Sequence, residues 1–335
     1  MIHSNFNLKE LNTFGLDCNA KTLIDINNQD DLSLINHDTL SQKNVILGGG
    51  SNVVFVNNSF DGTVICIKNK GINIVEQDED YVILESFAGE VWNDFVIFCS
   101  KNNWWGVENL SAVPGNVGAV AVQNIGAYGA ELKDCFLDCL TYNPITKEWK
   151  TYTNEECKFG YRYSIFKYQK ELEIIWKVRF KLSKKQKINI SYSALKDCIE
   201  RENIRITSPL QICELVTKIR NSKLPDPKIL GNAGSFFKNP IINEEHFNSI
   251  KEVYPNIPSY PAKNGVKLAA GWLIEECGWK GKRVGNVGMH EKQALVMVNY
   301  GNAKGKEIVS LANEIINSIK DKFNIELETE VHIIN

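Results

Sequence analysis

Apolar and polar positions follow two periods along the chain, and the change between them marks the elements. Residues 44–47 run apolar into Gly48-Gly49-Gly50, and residues 63–68 and 81–87 read as strands from their β-branched and alternating composition. Residues 91–102 place Val91, Phe95, Phe98 and Cys99 on one helical face. Residues 173–182 read as a strand, and the polar run 184–187 as an exposed connection. At Ser208-Pro209-Leu210-Gln211 an N-cap serine, a first-turn proline and a glutamine three residues after the cap open a helix, which predicts Ile212, Leu215, Val216 and Ile219 in the core. Leu224-Pro225-Asp226-Pro227 stops it and suggests a domain boundary. Further on the pattern predicts a helix over 266–277 ended by Gly278, a strand over 294–298, a long helix over 307–323 and a closing strand over 325–334. Strands and helices mix without a steady βαβ beat, which points to an α+β protein.

At 335 residues the chain exceeds one typical domain of about 150 residues. Hydrophobic residues at 43% and charged residues at 23% give a folded chain. Lys plus Arg number 38 against 40 Asp plus Glu, so no overall field draws it to nucleic acid or an acidic membrane, and an anionic ligand must be caught locally. No signal-like start and no long apolar run occurs, so a cytoplasmic, soluble protein is expected; a monomer is expected as well. The 9 cysteines lack a C-x-x-C pair and the 5 histidines are scattered, which predicts buried reduced thiols and no metal.

Gly48-Gly49-Gly50 follows a strand, but Val53 stands where a dinucleotide fingerprint needs glycine, and no Gly-Lys-Ser/Thr follows. What remains is a tight turn whose N–H groups, with Ser51 and Asn52, suit an anion, or else a plain turn. Segment 114–129 carries Gly115, Gly118, Gly126 and Gly129, too many for an ordinary helix or strand at about 0.5–1 kcal/mol each. Such backbone is expected to serve as a surface, and two glycine segments together suggest a diphosphate-containing cofactor.

Ser235 lies between the turn Gly231-Asn232-Ala233-Gly234 and Phe236-Phe237. A hydrolase with His290 and Asp226 is poorly supported, because a nucleophile elbow needs glycine two residues after the serine. A positioned serine can also donate a proton or simply satisfy a turn. Arg162, set among aromatics in Phe159-Gly160-Tyr161-Arg162-Tyr163, offers a fork for a carboxylate or a surface stack, and Glu330 near the end of the chain reads by itself as solvated.

In order along the chain, Asn12-Thr13-Phe14, Leu47 to Asn52, Pro114-Gly115 through Gln123-Asn124-Ile125-Gly126-Ala127-Tyr128-Gly129, Phe159 to Arg162 and Ser164 to Lys167 resemble the UDP-N-acetylenolpyruvoylglucosamine reductase family. The resemblance continues through Lys223-Leu224-Pro225-Asp226-Pro227-Lys228, Gly231 to Pro240, Ala269 to Ile274 and Leu327-Glu328 with Glu330-Val331. It implies an FAD-binding fold of the vanillyl-alcohol-oxidase type plus a separate α+β C-terminal substrate domain. The implied division is 1–70 and 71–222 for two FAD-binding subdomains, 223–320 for the substrate domain and 321–335 for a closing strand returning toward the flavin site.

The resemblance further implies non-covalent FAD, NADPH as co-substrate, and reduction of the enolpyruvyl group of a nucleotide sugar to a lactyl ether by ping-pong hydride transfer. That step belongs to peptidoglycan precursor synthesis, and so to cell-wall biogenesis, cell shape and cell division. FAD would meet Gly48, Gly49, Gly50, Ser51, Asn52, Pro114, Gly115, Gly118 and Gln123 through Gly129. Ser235 maps to the proton donor, and Arg162 and Glu330 to groups stabilising an enediolate. Tyr192, Lys223, Asn239 and Gln293 map to substrate contacts, Tyr192 marking the form of the family with a tyrosine-bearing loop. One departure is His332, where members often carry arginine, which predicts a weaker or pH-dependent contact. Two rivals are an FAD-dependent oxidase or dehydrogenase of the same fold on another substrate, and a non-catalytic nucleotide-sugar binding protein.

Overall fold

The computed structural model describes residues 1–41, 43–168 and 172–335, which divide into two compact units. The first comprises residues 1–6, 20–49 and 61–222, and the second residues 7–19, 50–60 and 223–335.

In the first unit, one sheet runs in the order β1 (Ile2–Asn7), β2 (Asn19–Ile26), β5 (Ser59–Ile67), β3 (Asn44–Leu47), with β3 parallel to β5. A second sheet, antiparallel throughout, runs β11 (Glu148–Thr153), β10 (Phe136–Asn143), β12 (Ile174–Ser183), β7 (Tyr81–Phe87), β6 (Ile72–Gln77). Alternation along β7 turns Val82 and Leu84 inward. There they join a core with α1 (Trp92–Lys101), where the rings of Phe95 and Phe180 lie 4.7 Å apart. Burying an aromatic of this size is worth about 1.5–3 kcal/mol. The buried face of α1 is Trp92, Phe95, Val96 and Cys99, whereas Val91 and Phe98 of the expected face are exposed. The helix is thus rotated from the sequence expectation, because Trp92 packs beside Phe180 at 5.9 Å.

Segment 114–129 is not purely irregular as its glycines suggest. It contains α2 (Val117–Val122), followed by the hairpin β8 (Gly126–Ala127) and β9 (Ala130–Glu131). Gly118 is tolerated there because a Cβ would stand 2.8 Å from that of Ala88, so close packing decides the residue. Two helices complete the unit, α3 (Ser193–Arg201) and α4 (Pro209–Lys223). The residues expected to face the core from α4 are all buried, and the helix ends before Leu224-Pro225.

In the second unit, β4 (Val53–Phe55) lies parallel to β20 (His332–Ile334), with Val53 opposite His332. A sheet runs β13 (Gly231–Ser235), β19 (Val296–Asn299), β18 (Val287–Met289), β17 (Arg283–Val284), and another runs β14 (Ile241–Ile242), β16 (Gly265–Leu268), β15 (Ser259–Ala262). Helices α5 (Glu244–Val253), α6 (Ala270–Glu276) and α7 (Gly305–Phe323) join them. Of the helix expected over 266–277 only α6 forms. Its first residues are strand β16 instead, because Val266 and Lys267 pair with Ile242 and Ile241. Ile308, Leu311, Ala312, Ile315, Ile319 and Phe323 of α7 form one buried stripe. No helix among the described residues is long and apolar enough to cross a membrane.

Candidate active site

Within the first unit the two glycine segments pack on each other. A Cβ on Gly48 would stand 2.8 Å from that of Ala119, and one on Gly49 would stand 3.0 Å from Cα of Gly115. Gly115 and Gly129 have φ of +118° and +82°, and Asn124 and Tyr128 also adopt positive φ, at 46° and 49°. Asn124 spends its buried side chain on the protein itself, donating to Glu131 Oε2 (3.1 Å) and to the Gly160 carbonyl (3.0 Å) and accepting from Lys133 N–H (3.0 Å). Segment 114–129 leaves Gly115, Ala119, Gly126, Ala127 and Gly129 at least partly exposed, so much of what it presents is peptide backbone, with Gln123 closing α2 as its C-cap and Pro114 exposed. That surface fits a diphosphate-bearing cofactor such as FAD.

Arg162 sits in the left-handed region at φ 54°, strain that tends to persist where a site requires it. Its Nη2 donates to the Gly126 carbonyl at 3.0 Å, and its guanidinium lies 5.3 Å from the centre of the Tyr161 ring. Ser164, fully buried, donates to the Val122 carbonyl at 2.5 Å and so fixes this turn to the end of α2. The ring of Tyr192, just ahead of α3, meets that of Tyr128 edge-on at 5.0 Å. Arg220 of α4, which no sequence motif singles out, joins this cluster. Burial draws its guanidinium pKa down, Arg162 acts the same way and Tyr128 opposes. Burial pushes the Tyr128 hydroxyl up while Arg220 holds it down. A helical arginine carries no mark in the sequence of what it will face.

The turn 48–52 begins in the first unit and ends in the second. In the second unit Gly50 has φ +62°, and a Cβ there would fall 1.9 Å from the Leu11 carbonyl oxygen, so only glycine fits. Asn12 pins its own loop by donating to the carbonyls of Leu8 (2.8 Å) and Leu16 (3.0 Å), and Thr13 Oγ1 donates to the Asn232 carbonyl at 2.6 Å. Register between β13 and β19 shifts between Asn232 and Ser235, a bulge that takes Gly234 at φ +68° and re-aims Ser235. Glu330 N–H donates to the Phe236 carbonyl at 2.8 Å, and Asn52 Nδ2 donates to the Glu330 carbonyl at 3.2 Å. His332 N–H in turn donates to the Asn52 carbonyl at 2.9 Å. The structure thus brings Asn52, Ser235 and Glu330 into one neighbourhood, although of the strand expected over 325–334 only β20 is regular.

Asn239 Oδ1 accepts from Ala270 N–H at 3.0 Å, at the start of α6. Gln293 Oε1 lies 3.5 Å from where a Cβ on neighbouring Gly271 would stand, so these two residues share a locality. Lys223 ends α4 and is exposed. The hydrolase alternative finds no triad: His290 Nδ1 accepts from Lys292 N–H at 3.4 Å and Asp226 Oδ1 from Lys228 N–H at 2.9 Å, with no bond to Ser235 among the described residues. All 9 cysteines are free, 8 of them buried, and no metal-holding group of three or more His, Cys, Asp or Glu occurs among the described residues.

A family model for an FAD binding domain matches residues 32–144, and the model for the C-terminal domain of UDP-N-acetylenolpyruvoylglucosamine reductase matches residues 226–334. The reductase of that name from Flavobacterium johnsoniae is 47% identical over 99% of both chains, and that from Porphyromonas gingivalis strain W83 is 44% identical over 99% of both. The chain belongs to the UDP-N-acetylenolpyruvoylglucosamine reductase family. The crystal structure of the Thermus caldophilus reductase matches 100% of this chain and 98% of that one, with a TM-score of 0.66 at 22% identity, and so shares the fold. The enzyme is an oxidoreductase with FAD as cofactor and NADPH as reductant, built from an FAD binding domain and a separate α+β C-terminal domain.

Proposed function

We propose that this reductase converts the enolpyruvyl group of UDP-N-acetylglucosamine enolpyruvate into the lactyl ether of UDP-N-acetylmuramate, in the cytoplasmic synthesis of peptidoglycan precursor. The observation that supports the assignment of roles is the main-chain bond from Glu330 to Phe236, the residue after Ser235, which joins the two motif segments. FAD, held against the Gly48 to Asn52 turn and segment 114–129, would supply relay of the hydride from NADPH to the substrate. Arg162 would then pair with the substrate carboxylate as negative charge grows on it, assisted by the field of Arg220, with Glu330 completing the polar arrangement. Preorganised charge of this kind is usually the largest catalytic contribution. Ser235 Oγ would deliver the proton to the carbon next to that carboxylate. Tyr192, Lys223, Asn239 and Gln293 would hold the nucleotide sugar, with residues 223–320 as the substrate-binding part and 321–335 as the closing segment that carries Glu330.

An anaerobic visible spectrum tests the reading. Flavin bands are expected to bleach with NADPH and return when the enolpyruvyl substrate is added. Bleaching without return would assign the chain to another substrate.

A further inference from the structure

The Tyr192 side chain lies at the end of an exposed connection, residues 184–192, that has little core of its own. One buried amide fastens that connection to the glycine segment. Asn109, 2% exposed, uses the two N–H groups of its Nδ2 on two separate pieces of chain, donating to the Tyr128 carbonyl at 2.8 Å and to the Asn189 carbonyl at 2.9 Å. A second link runs the other way, from Asn189 Nδ2 to the Gly129 carbonyl at 2.9 Å, while Asn189 Oδ1 accepts from Ser191 Oγ at 2.8 Å. Gly129 allows this approach, since a Cβ there would stand 2.4 Å from Ser191 Oγ. The Tyr128 and Tyr192 rings, 5.0 Å apart, are what these links set in register.

We infer that Asn109, with Asn189, is a positioning residue for substrate binding: its amide joins the carbonyls of residues 128 and 189 and thereby presents Tyr192 to the nucleotide sugar. The inference rests on the proposed substrate role of Tyr192. Replacing Asn109 leaves two carbonyls without their donor and lets the connection leave the glycine segment, at the cost of substrate affinity rather than of the chemical step.

The test is a double-mutant cycle on the FAD-loaded enzyme with UDP-N-acetylglucosamine enolpyruvate as the varied substrate. Asn109→Ala is expected to raise its KM about 5- to 10-fold with kcat within about twofold. Tyr192→Ala should raise KM as well. In the double variant the Asn109 effect should largely vanish, because the group it positions is gone. Multiplying effects would overturn the inference while leaving the role of Tyr192 in place. An unchanged KM in Tyr192→Ala alone would overturn the substrate reading of Tyr192, and the inference with it. If Asn109→Ala does not fold, Asn189→Ala on the exposed connection enters the same cycle, where a KM effect that vanishes beside Tyr192→Ala supports the inference and one that multiplies overturns it.

Discussion

The amide of Glu330 is bonded to the carbonyl of Phe236 at 2.8 Å, so the residue after Ser235 and the last acidic residue of the chain share one hydrogen bond. Asn52 holds the same stretch from the other side through the Glu330 carbonyl. Three motifs far apart in sequence are therefore joined through main-chain groups and a single asparagine amide.

If Ser235 delivers the proton, its loss should separate the two halves of the reaction. Ser235→Ala is expected to keep flavin reduction by NADPH while turnover of the enolpyruvyl substrate drops by about 10² or more. Stopped-flow absorbance resolves both, and equal losses in the two halves would remove Ser235 from that role.

Arg220 should matter to an anionic substrate because it adds a partly buried cation to the cluster of Arg162 and Tyr128. Arg220→Met is expected to raise the substrate KM by about tenfold or more, the scale of a lost charge-assisted contact. The FAD content of the purified protein should stay the same. Steady-state kinetics at two salt concentrations decide it, since a KM equal to wild type at both would deny the cluster a second cation.

Gly50→Ala meets both a left-handed φ of +62° and the Leu11 carbonyl at 1.9 Å. Its melting temperature should fall by at least about 2 °C. Gly278→Ala is the control, since φ there is +75° with nothing within 4 Å of the added carbon. A thermal melt in which the two variants lose the same amount would mean that the Leu11 contact relaxes.

Glu108 is buried with its carboxylate accepting from Gly106 N–H, and burial raises its pKa above the ordinary value. The fold therefore favours the protonated form of Glu108 over its carboxylate more than the unfolded chain does. This contribution to stability is complete below pH about 4.5 and is lost as the pH climbs through the folded value. Glu108→Gln should accordingly gain stability at neutral pH relative to wild type, with the gain vanishing in acid. Urea melts at pH 7 and pH 4 check the sign, and a variant less stable at neutral pH contradicts it.

What the sequence made legible depended on whether the signal was local. Helix α4 opens at Ser208-Pro209 and stops before Leu224-Pro225 as the capping pattern requires, and Gly278 follows α6 with the left-handed φ of a stop. Residues 266–268 read as helix but became strand, because their pairing with residues 241–242 is set by a segment that no local period contains. The face of α1 was misplaced for the same reason, its orientation being decided by Phe180 in a distant strand. At the site, the glycine segments and Ser235 stood out through unusual composition. Asn109 and Arg220 did not, since an asparagine in a short turn and an arginine on a helix acquire meaning only from the chain segments that come to face them.

The second unit is assembled from three stretches, and Phe14, Leu16 and Val54 belong to the same buried cluster as Leu327 and Val331. During synthesis these early residues leave the ribosome on the order of 10 s or more before their partners exist. Apolar side chains of residues 14–54 thus stay without their full cover until residues as far along the chain as Leu327 and Val331 have emerged.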